Sequence, residues 1–403
     1  MEVMPGYKLS DVGVIPQDWK DASLGEIAEI RMCKRIFLEQ TKPTGDIPFF
    51  KIGTFGKMPD AYISFDIYRA YKRKYSFPHR GDILLSAAGT LGKTVIYDGV
   101  DAYFQDSNIV WLDIDQEKIT NEYLFQCYQK IKWDSPEGST ISRLYNGIIR
   151  NTKIPLPPTI KEQRDIAQAL SDVDTLIESV DRLIVKKRNF KQAAMQQLLT
   201  GQTRLPGFSG GWENKKLSDV ATLVRINIIP WLRPKDSFVH FSLPAFDEGK
   251  MPVVETGSAI GSNKFKVPKD AVLVSKLNPR IPRVWEPTEI PENSVASTEF
   301  LVLIPKLNVS RKFLFVLCAS PAFCEQMELA ATGTTGSHQR ISPTGALNLN
   351  FFVPTDTDEQ TAIAGVLTSM DAYISALEDR RNKTAALKQG MMQELLTGRT
   401  RLV

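Results

Sequence analysis

The sequence is poor in the residues that build metal sites and disulfides. Its 403 residues hold four cysteines, Cys33, Cys127, Cys318 and Cys324, and three histidines, His79, His240 and His338. No C-x-x-C occurs, which argues against a zinc ribbon and a disulfide scaffold. The histidines lie far apart and suggest no metal-ligand pattern. Charge of one sign is scarce as well. The 50 Lys+Arg against 46 Asp+Glu leave a net +4. That is too mild to announce nucleic-acid binding and does not exclude it. No uninterrupted apolar run approaches the roughly 18 residues of a membrane span. Met1 to Trp19 is polar and proline-punctuated, without an apolar leader core. The expectation is a soluble, reduced, cytoplasmic chain with no membrane partner. What is present suffices for real cores, with 42% hydrophobic and 24% charged residues. The length calls for two or three folded units.

The chain repeats itself. Residues 159–205 align with residues 356–402 without a gap, and 19 of the 47 positions are identical. Unrelated sequences of ordinary composition would give roughly three. Glu162-Gln163 recurs as Glu359-Gln360, Asp174 as Asp371, and Leu198-Leu199-Thr200-Gly201 as Leu395-Leu396-Thr397-Gly398. Trp19, Leu24 and Ala28 match Trp212, Leu217 and Ala221 more loosely. Between these anchors the halves diverge. The order is therefore variable region 1–158, shared segment 159–200, variable region 201–355, shared segment 356–403. The closing Thr-Gly-Arg-Thr-Arg-Leu mirrors the joint before the second variable region, so the two termini should lie close together.

The shared segments read as long helices. Ile166, Leu170, Val173, Ile177, Val180 and Ile184 form a heptad seam, and the second copy supplies Ile363, Leu367, Met370, Ile374 and Leu377 before Arg381 breaks it. Thr159 with Glu162, and Asp356 with Glu359, fit capping boxes, and Gly201 and Gly398 sit where a helix ends. A helix over 159–200 would be about 63 Å long at 1.5 Å per residue. Such a stripe needs a partner, and the economical one is the other copy. The expected class is α+β. Two similar domains are joined by two long antiparallel helices forming a coiled coil, a pseudo-twofold internal repeat. Short β-rich runs support the α+β reading, among them Ile83-Leu84-Leu85, Ile109-Val110-Trp111-Leu112 and Phe300-Leu301-Val302-Leu303-Ile304.

This layout resembles the DNA-specificity subunit of type I restriction–modification systems. The likeness rests on Ile15-Pro16…Trp19…Leu24-Gly25-Glu26-Ile27, on Gly81-Asp82-Ile83-Leu84 followed by Gly89-Thr90-Leu91-Gly92-Lys93, and on Ile154-Pro155-Leu156-Pro157-Pro158…Glu162-Gln163, with the Leu-Leu-Thr-Gly ends. It covers nearly the whole chain. The resemblance implies that each variable region is a target-recognition domain reading one half of an asymmetric bipartite site in double-stranded DNA. It implies that the helices set the half-site spacing and dock two adenine-methyltransferase (modification) subunits, and that restriction subunits complete the nuclease. It makes the chain a non-catalytic targeting subunit in a prokaryotic cytoplasm. No cofactor is expected on this chain; S-adenosylmethionine, and ATP with Mg2+, are expected in partner subunits. Lys51, Thr54 and Lys93 are candidate contacts by resemblance. Where the first half has Gly-Thr-Leu-Gly-Lys, the second has Lys276-Leu277-Asn278-Pro279-Arg280.

The remaining candidates come from residue chemistry. Residues 159–200 carry a net +1 and residues 356–397 a net −3, so the rest of a chain of net +4 carries +6. That places the basic excess where phosphate contact would need it. Tyr71-Lys72-Arg73-Lys74-Tyr75 is the densest basic-aromatic cluster, able to track phosphates or to be a solvated face. Arg31, Lys34 and Arg35 follow the first strand. Ser139, Thr140 and Arg143 precede the first helix, and Arg143 aligns with Arg340 of His338-Gln339-Arg340. Gln and Arg read adenine and guanine edges, and Lys276, Asn278 and Arg280 are similar candidates. Ala87-Ala88-Gly89-Thr90-Leu91-Gly92-Lys93-Thr94 nearly matches a phosphate-binding loop. It opens on Ala rather than Gly, however, and runs into β-type residues, which disfavours an ATPase. No methyltransferase or nuclease constellation is found, and no catalytic residue is proposed. The other alternative is a two-headed coiled-coil scaffold without a DNA role.

Overall fold

The computed structural model describes residues 4–133, 143–333 and 339–402. The chain forms two compact units, Met1–Val180 with Arg380–Val403, and Asp181–Asp379. Both are built in the same order.

In the first unit an antiparallel sheet runs in the order Ala28–Arg31, Ile109–Ile114, Ile83–Ser86, Thr94–Ile96. Its central strands carry unbroken buried apolar runs, Ile83–Leu85 and Ile109–Leu112, because both faces are covered there. Ile83, Leu85, Val110 and Leu112 join one core with Trp19, Tyr123, Ile154 and the helix residues Ile166 and Leu170. Leu84, Ile109 and Trp111 point the other way, into a second core with Phe49, Tyr97 and Tyr103. A smaller sheet closes that second core: Ile47–Phe50 pairs antiparallel with Tyr62–Ile63 and parallel with Tyr103–Phe104. A two-stranded ribbon, Lys20–Ser23 with Lys153–Leu156, leads to the first long helix, Ile160–Leu198.

The second unit repeats this plan. Its sheet order is Ala221–Val224, Phe300–Pro305, Val272–Ser275, Val284–Trp285. Val272, Val274, Leu301 and Leu303 face the helix-side core, while Leu273, Phe300 and Val302 face the other. Its smaller sheet has five strands and again contains a parallel pair, Ser237–Phe241 with Ser294–Ser297. The ribbon Trp212–Lys216 with Asn350–Pro354 leads to the second long helix, Thr357–Leu395.

Each unit takes part of each long helix, and within each the two run antiparallel. In the first unit Asp174 pairs with Lys388 at 2.7 Å, and Arg401 with Glu162 at 2.7 Å. In the second, Lys191 pairs with Asp371 and Arg204 with Glu359. Ile166, Leu170, Val180, Ile184, Ile363, Leu367, Ile374 and Leu377 are buried; Val173, Ile177 and Met370 are half-buried. Arg381 does not end the seam as the sequence suggests. Half-buried Arg381, Thr384 and Lys388 carry the face on to buried Met392 and Leu395. Aliphatic stems let cations line a seam.

The helix ends follow the sequence signals in part. Gly201 and Gly398 take φ +70° and +68°, the left-handed conformation that closes a helix. Gly398 also packs so closely that a Cβ would lie 2.5 Å from Pro16 Cγ. The Tyr7 hydroxyl donates to the Gly398 carbonyl at 3.3 Å, which brings the two ends of the chain together. At the first helix start the Thr159 hydroxyl accepts the Glu162 N–H at 3.2 Å. The capping boxes are not reciprocal, however: the Glu162 and Glu359 carboxylates turn to Arg401 and Arg204. A guanidinium offers a buried carboxylate two charged donors where the cap backbone offers one.

Candidate nucleic-acid interface

The loops at one edge of each four-stranded sheet carry most of the candidate residues. The same backbone scaffold builds both sets. In the first unit Ser86 N–H donates to Lys93 O, Ala87 N–H to Asn108 O, and Leu144 N–H to Ala87 O, at 2.7–2.9 Å. In the second, Ser275 N–H donates to Arg283 O, Lys276 N–H to Glu299 O, and Ile341 N–H to Lys276 O, at 2.9–3.1 Å. Ala88 bridges Arg143, and Leu277 bridges Arg340. The alignment of Arg143 with Arg340 is thus the same pairing in space. Gly89 takes φ +67° where the second turn has Asn278 at +49°. Asn is among the few other residues that tolerate this region. The loops keep one backbone and differ in side chains, a suitable arrangement for readers of different sequences.

In the first unit Arg35, Lys51 and Arg143 surround a cleft of about 330 Å³, with Phe37, Leu38, Gln105 and Asn108 in its wall. Each cation is held. Arg35 Nε donates to Asp106 at 2.8 Å, Lys51 lies 2.9 Å from Asp60, and Arg143 donates to the Ser107 carbonyl at 3.3 Å. The Thr54 hydroxyl accepts the Lys51 N–H at 3.1 Å and so shapes the turn beneath the cleft. A second cleft gathers Arg31, Lys72, Tyr75 and His79. Arg31 ends its strand and reaches Glu29 at 2.6 Å, and Lys34 lies 5.3 Å above the Tyr75 ring.

Other candidates are placed differently. Tyr71 and Tyr75 stack edge to face at 5.3 Å, and Tyr71 packs on buried Tyr103, so the aromatic half of that cluster serves the core. Lys72 folds over the rings and lies 2.7 Å from the Tyr68 hydroxyl; Arg73 and Lys74 are exposed. Burial pushes the Tyr68 phenol up, and its bond to Asp101 adds to the shift. Lys93 turns inward to the Phe55 carbonyl at 2.5 Å, and a strand, Thr94–Ile96, follows it. The near match to a phosphate loop is therefore a sheet turn.

In the second unit Lys276 is half-buried and Arg280 is exposed. The Asn278 N–H donates to the Gln339 carbonyl at 2.8 Å, and Arg340 reaches Glu299 at 3.2 Å. Ser139, Thr140 and His338 lie outside the described residues. Of the other histidines, His79 donates its backbone N–H to Asp82 at 2.7 Å with its ring exposed, and the His240 ring meets Glu255 at 2.6 Å. Among the described residues no group of three or more His, Cys, Asp or Glu side chains is placed to hold a metal ion. None of their helices is long and apolar enough to cross a membrane.

Sequence reasoning missed Gln105 and Asn108. They precede a strand whose apolar residues dominate any local reading, and only the fold brings them beside Arg35. It also missed the docking role of Gln163 and Gln360. Gln163 accepts the Thr120 N–H and donates to the Lys118 carbonyl at 3.0 and 2.9 Å. Gln360 accepts the Ser310 N–H and donates to the Asn308 carbonyl at 2.9 and 3.2 Å. These bonds fasten each helix start to its unit. Their recurrence in the repeat was the available signal.

Comparison with known proteins gives a consistent picture. Residues 16–186 match the type I restriction modification DNA specificity domain. A Haemophilus influenzae protein named as a candidate type I restriction enzyme specificity subunit is 53% identical over 161 residues, which is 40% of this chain and 42% of that protein. A Methanocaldococcus jannaschii protein named as a candidate type I enzyme MjaX specificity subunit is 27% identical over 48% of each chain. The chain thus spans less than half the length of these two relatives. The MjaVIII specificity subunit of the same archaeon is 23% identical over 96% of this chain and 94% of its own. The fold is shared with the crystal structure of the type I restriction-modification S subunit from M. genitalium, at TM-score 0.59, 14% identity and coverage of 98% and 99%. A chain from a structural study of complex assembly in the type I R-M system gives TM-score 0.57 at 16% identity, over 95% and 99%.

Proposed function

We propose a DNA-reading function from the premise that this chain belongs to the family of type I restriction–modification DNA-specificity subunits. Each unit reads one half of an asymmetric bipartite site. The pair of long helices docks two adenine-methyltransferase subunits and sets the distance between the half-sites. The chain performs no chemistry itself. S-adenosylmethionine belongs to the methyltransferase partners, and ATP with Mg2+ to restriction subunits that join them.

One observation carries this reading. The loop pairs around Ala88–Arg143 and Leu277–Arg340 have the same backbone bonding and different side chains. A scaffold has no reason to vary its heads on constant stems, whereas a reader of two different half-sites must. The positions of the cations agree with phosphate contact, and Asn108 beside Arg35 supplies a base-edge amide, while Gln105 Oε1 accepts the Ile52 N–H at 2.8 Å and braces the cleft wall. The repeated helix surface accounts for two partners of one kind. The test is genome-wide detection of N6-methyladenine in the source cell with and without this gene. Loss of methylation at one gapped motif on deletion is the expected result. An unchanged pattern, with the methyltransferase gene expressed, would refute the reading.

A further inference from the structure

Each unit displays two bulky apolar side chains on a pinned turn beside its cations. In the first unit the turn is Leu38–Gln40, preceded by Phe37; Leu38 is 87% exposed and Phe37 53%. In the second the turn Pro230–Leu232 carries Trp231 and Leu232, 44% and 69% exposed. Both turns occupy the same place in the topology. Each lies between the first strand of the four-stranded sheet and the strand that enters the parallel pair. A single exposed apolar residue is ordinary. An adjacent pair at one topological position in both units, where the sequences have diverged, asks for a reason.

The turns are stiff. Phe37 N–H donates to Gln40 Oε1 at 2.9 Å, and the Thr41 N–H and hydroxyl both donate to the Leu38 carbonyl, at 3.0 and 2.8 Å. In the second unit Arg233 N–H donates to the Pro230 carbonyl at 2.8 Å. Gly257 backs this turn so closely that a Cβ there would lie 2.1 Å from Arg233 O and 2.3 Å from Pro230 O. Cations lie beside both pairs, with Glu39 in the first turn and Asp106 in its cleft as the acids among them. Phe37 and Leu38 line the same cleft as Arg35, Lys51 and Arg143. Exposed Arg225, Arg233 and Lys235 flank Trp231 and Leu232, and residues 225–235 contain no acid. A stiff apolar tip between cations suits proteins that wedge a side chain between base steps while basic groups hold the phosphates. A protein-docking surface would show a broader apolar patch with fewer charges.

We propose that Phe37-Leu38 and Trp231-Leu232 are wedges, each entering the duplex of its unit's half-site and unstacking one base step. Part of the readout is then of how easily that step deforms, in addition to its base edges. This inference rests on the DNA-reading function proposed above.

The test uses the complex of the full chain with its methyltransferase and duplexes carrying 2-aminopurine at successive positions of each half-site other than the adenine to be methylated, which the methyltransferase itself draws out of the stack. With the wild-type chain, fluorescence rises on binding at one step per half-site. Phe37→Ala with Leu38→Ala abolishes only the rise in the first unit's half-site, and Trp231→Ala with Leu232→Ala only the other. A conservative Leu38→Met variant keeps the rise. Sequence-specific binding without any rise, or a rise that survives both double substitutions, overturns the wedge and leaves the DNA-reading function standing. Loss of the methyltransferase from either alanine variant also overturns it, because the turn would then be a protein interface. Absence of sequence-specific binding by the wild-type complex refutes the DNA-reading function itself.

Discussion

Glu162 and Glu359 look in sequence like the far half of a capping box. In the fold each serves a different end: the chain just past the opposite helix returns an arginine to it. Arg204 holds Glu359, whose side chain is fully buried, through two short bonds, and the Trp212 ring N–H approaches at 3.4 Å. Arg401 holds Glu162 and also reaches Asp18 at 2.9 Å. Those neighbours keep the Arg401 guanidinium protonated more firmly still, the Glu162 bond first and the Asp18 bond second. Removing one partner of a buried pair strands the other charge. Arg204→Met should therefore lower the unfolding free energy of the chain by about 3–5 kcal/mol. Urea unfolding checks this, and a loss under about 1 kcal/mol would mean that the lone Trp212 contact suffices. The repeat made both Glu-Gln pairs visible in the sequence. Their partners stayed hidden, because Arg204 and Glu359 are 155 positions apart and no local pattern links them.

At the scale of elements, the long helices were the most legible part, since period, caps and terminal glycines agree. The seam was readable only while it was apolar. Beyond Leu377 it continues through cations whose burial the sequence does not announce. Lys388 and Lys191 are repeat equivalents, and each meets the equivalent aspartate, Asp174 or Asp371, across its own unit's helix pair. Their side chains are only 13% and 22% exposed. Such polar positions favour one alignment of the helices over slipped ones. A double-mutant cycle on Lys191→Ala and Asp371→Ala should give a coupling of about 1 kcal/mol. Additive effects would make the pair incidental. The strands were legible for a related reason: unbroken apolar runs such as Ile83-Leu84-Leu85 report burial on two faces. Their order, and the parallel pairs in the smaller sheets, were not. Those pairings join segments more than 50 residues apart.

For the whole molecule, the internal repeat was the decisive feature. It divided the chain and showed which segments are constant. The structure bears out the expected likeness of the two variable regions, and carries it down to equivalent hydrogen bonds under the loops that differ most. Candidate contacts were the least legible level. Arg35, Lys51 and Arg143 converge although they are scattered in sequence, while Tyr71 and Lys93, in conspicuous motifs, are turned to structural use. A surface is assembled by the fold, and local composition does not record which side of a segment will face outward.

The central claim is that each unit reads its own half of the target. The most direct measurement replaces residues 1–158 with the corresponding region of a protein named as a type I specificity subunit and maps N6-methyladenine genome-wide. The account predicts a new gapped motif in which one half-site has changed, the other is untouched and the gap is unaltered. Simultaneous change of both half-sites, or retention of the original motif, would contradict it.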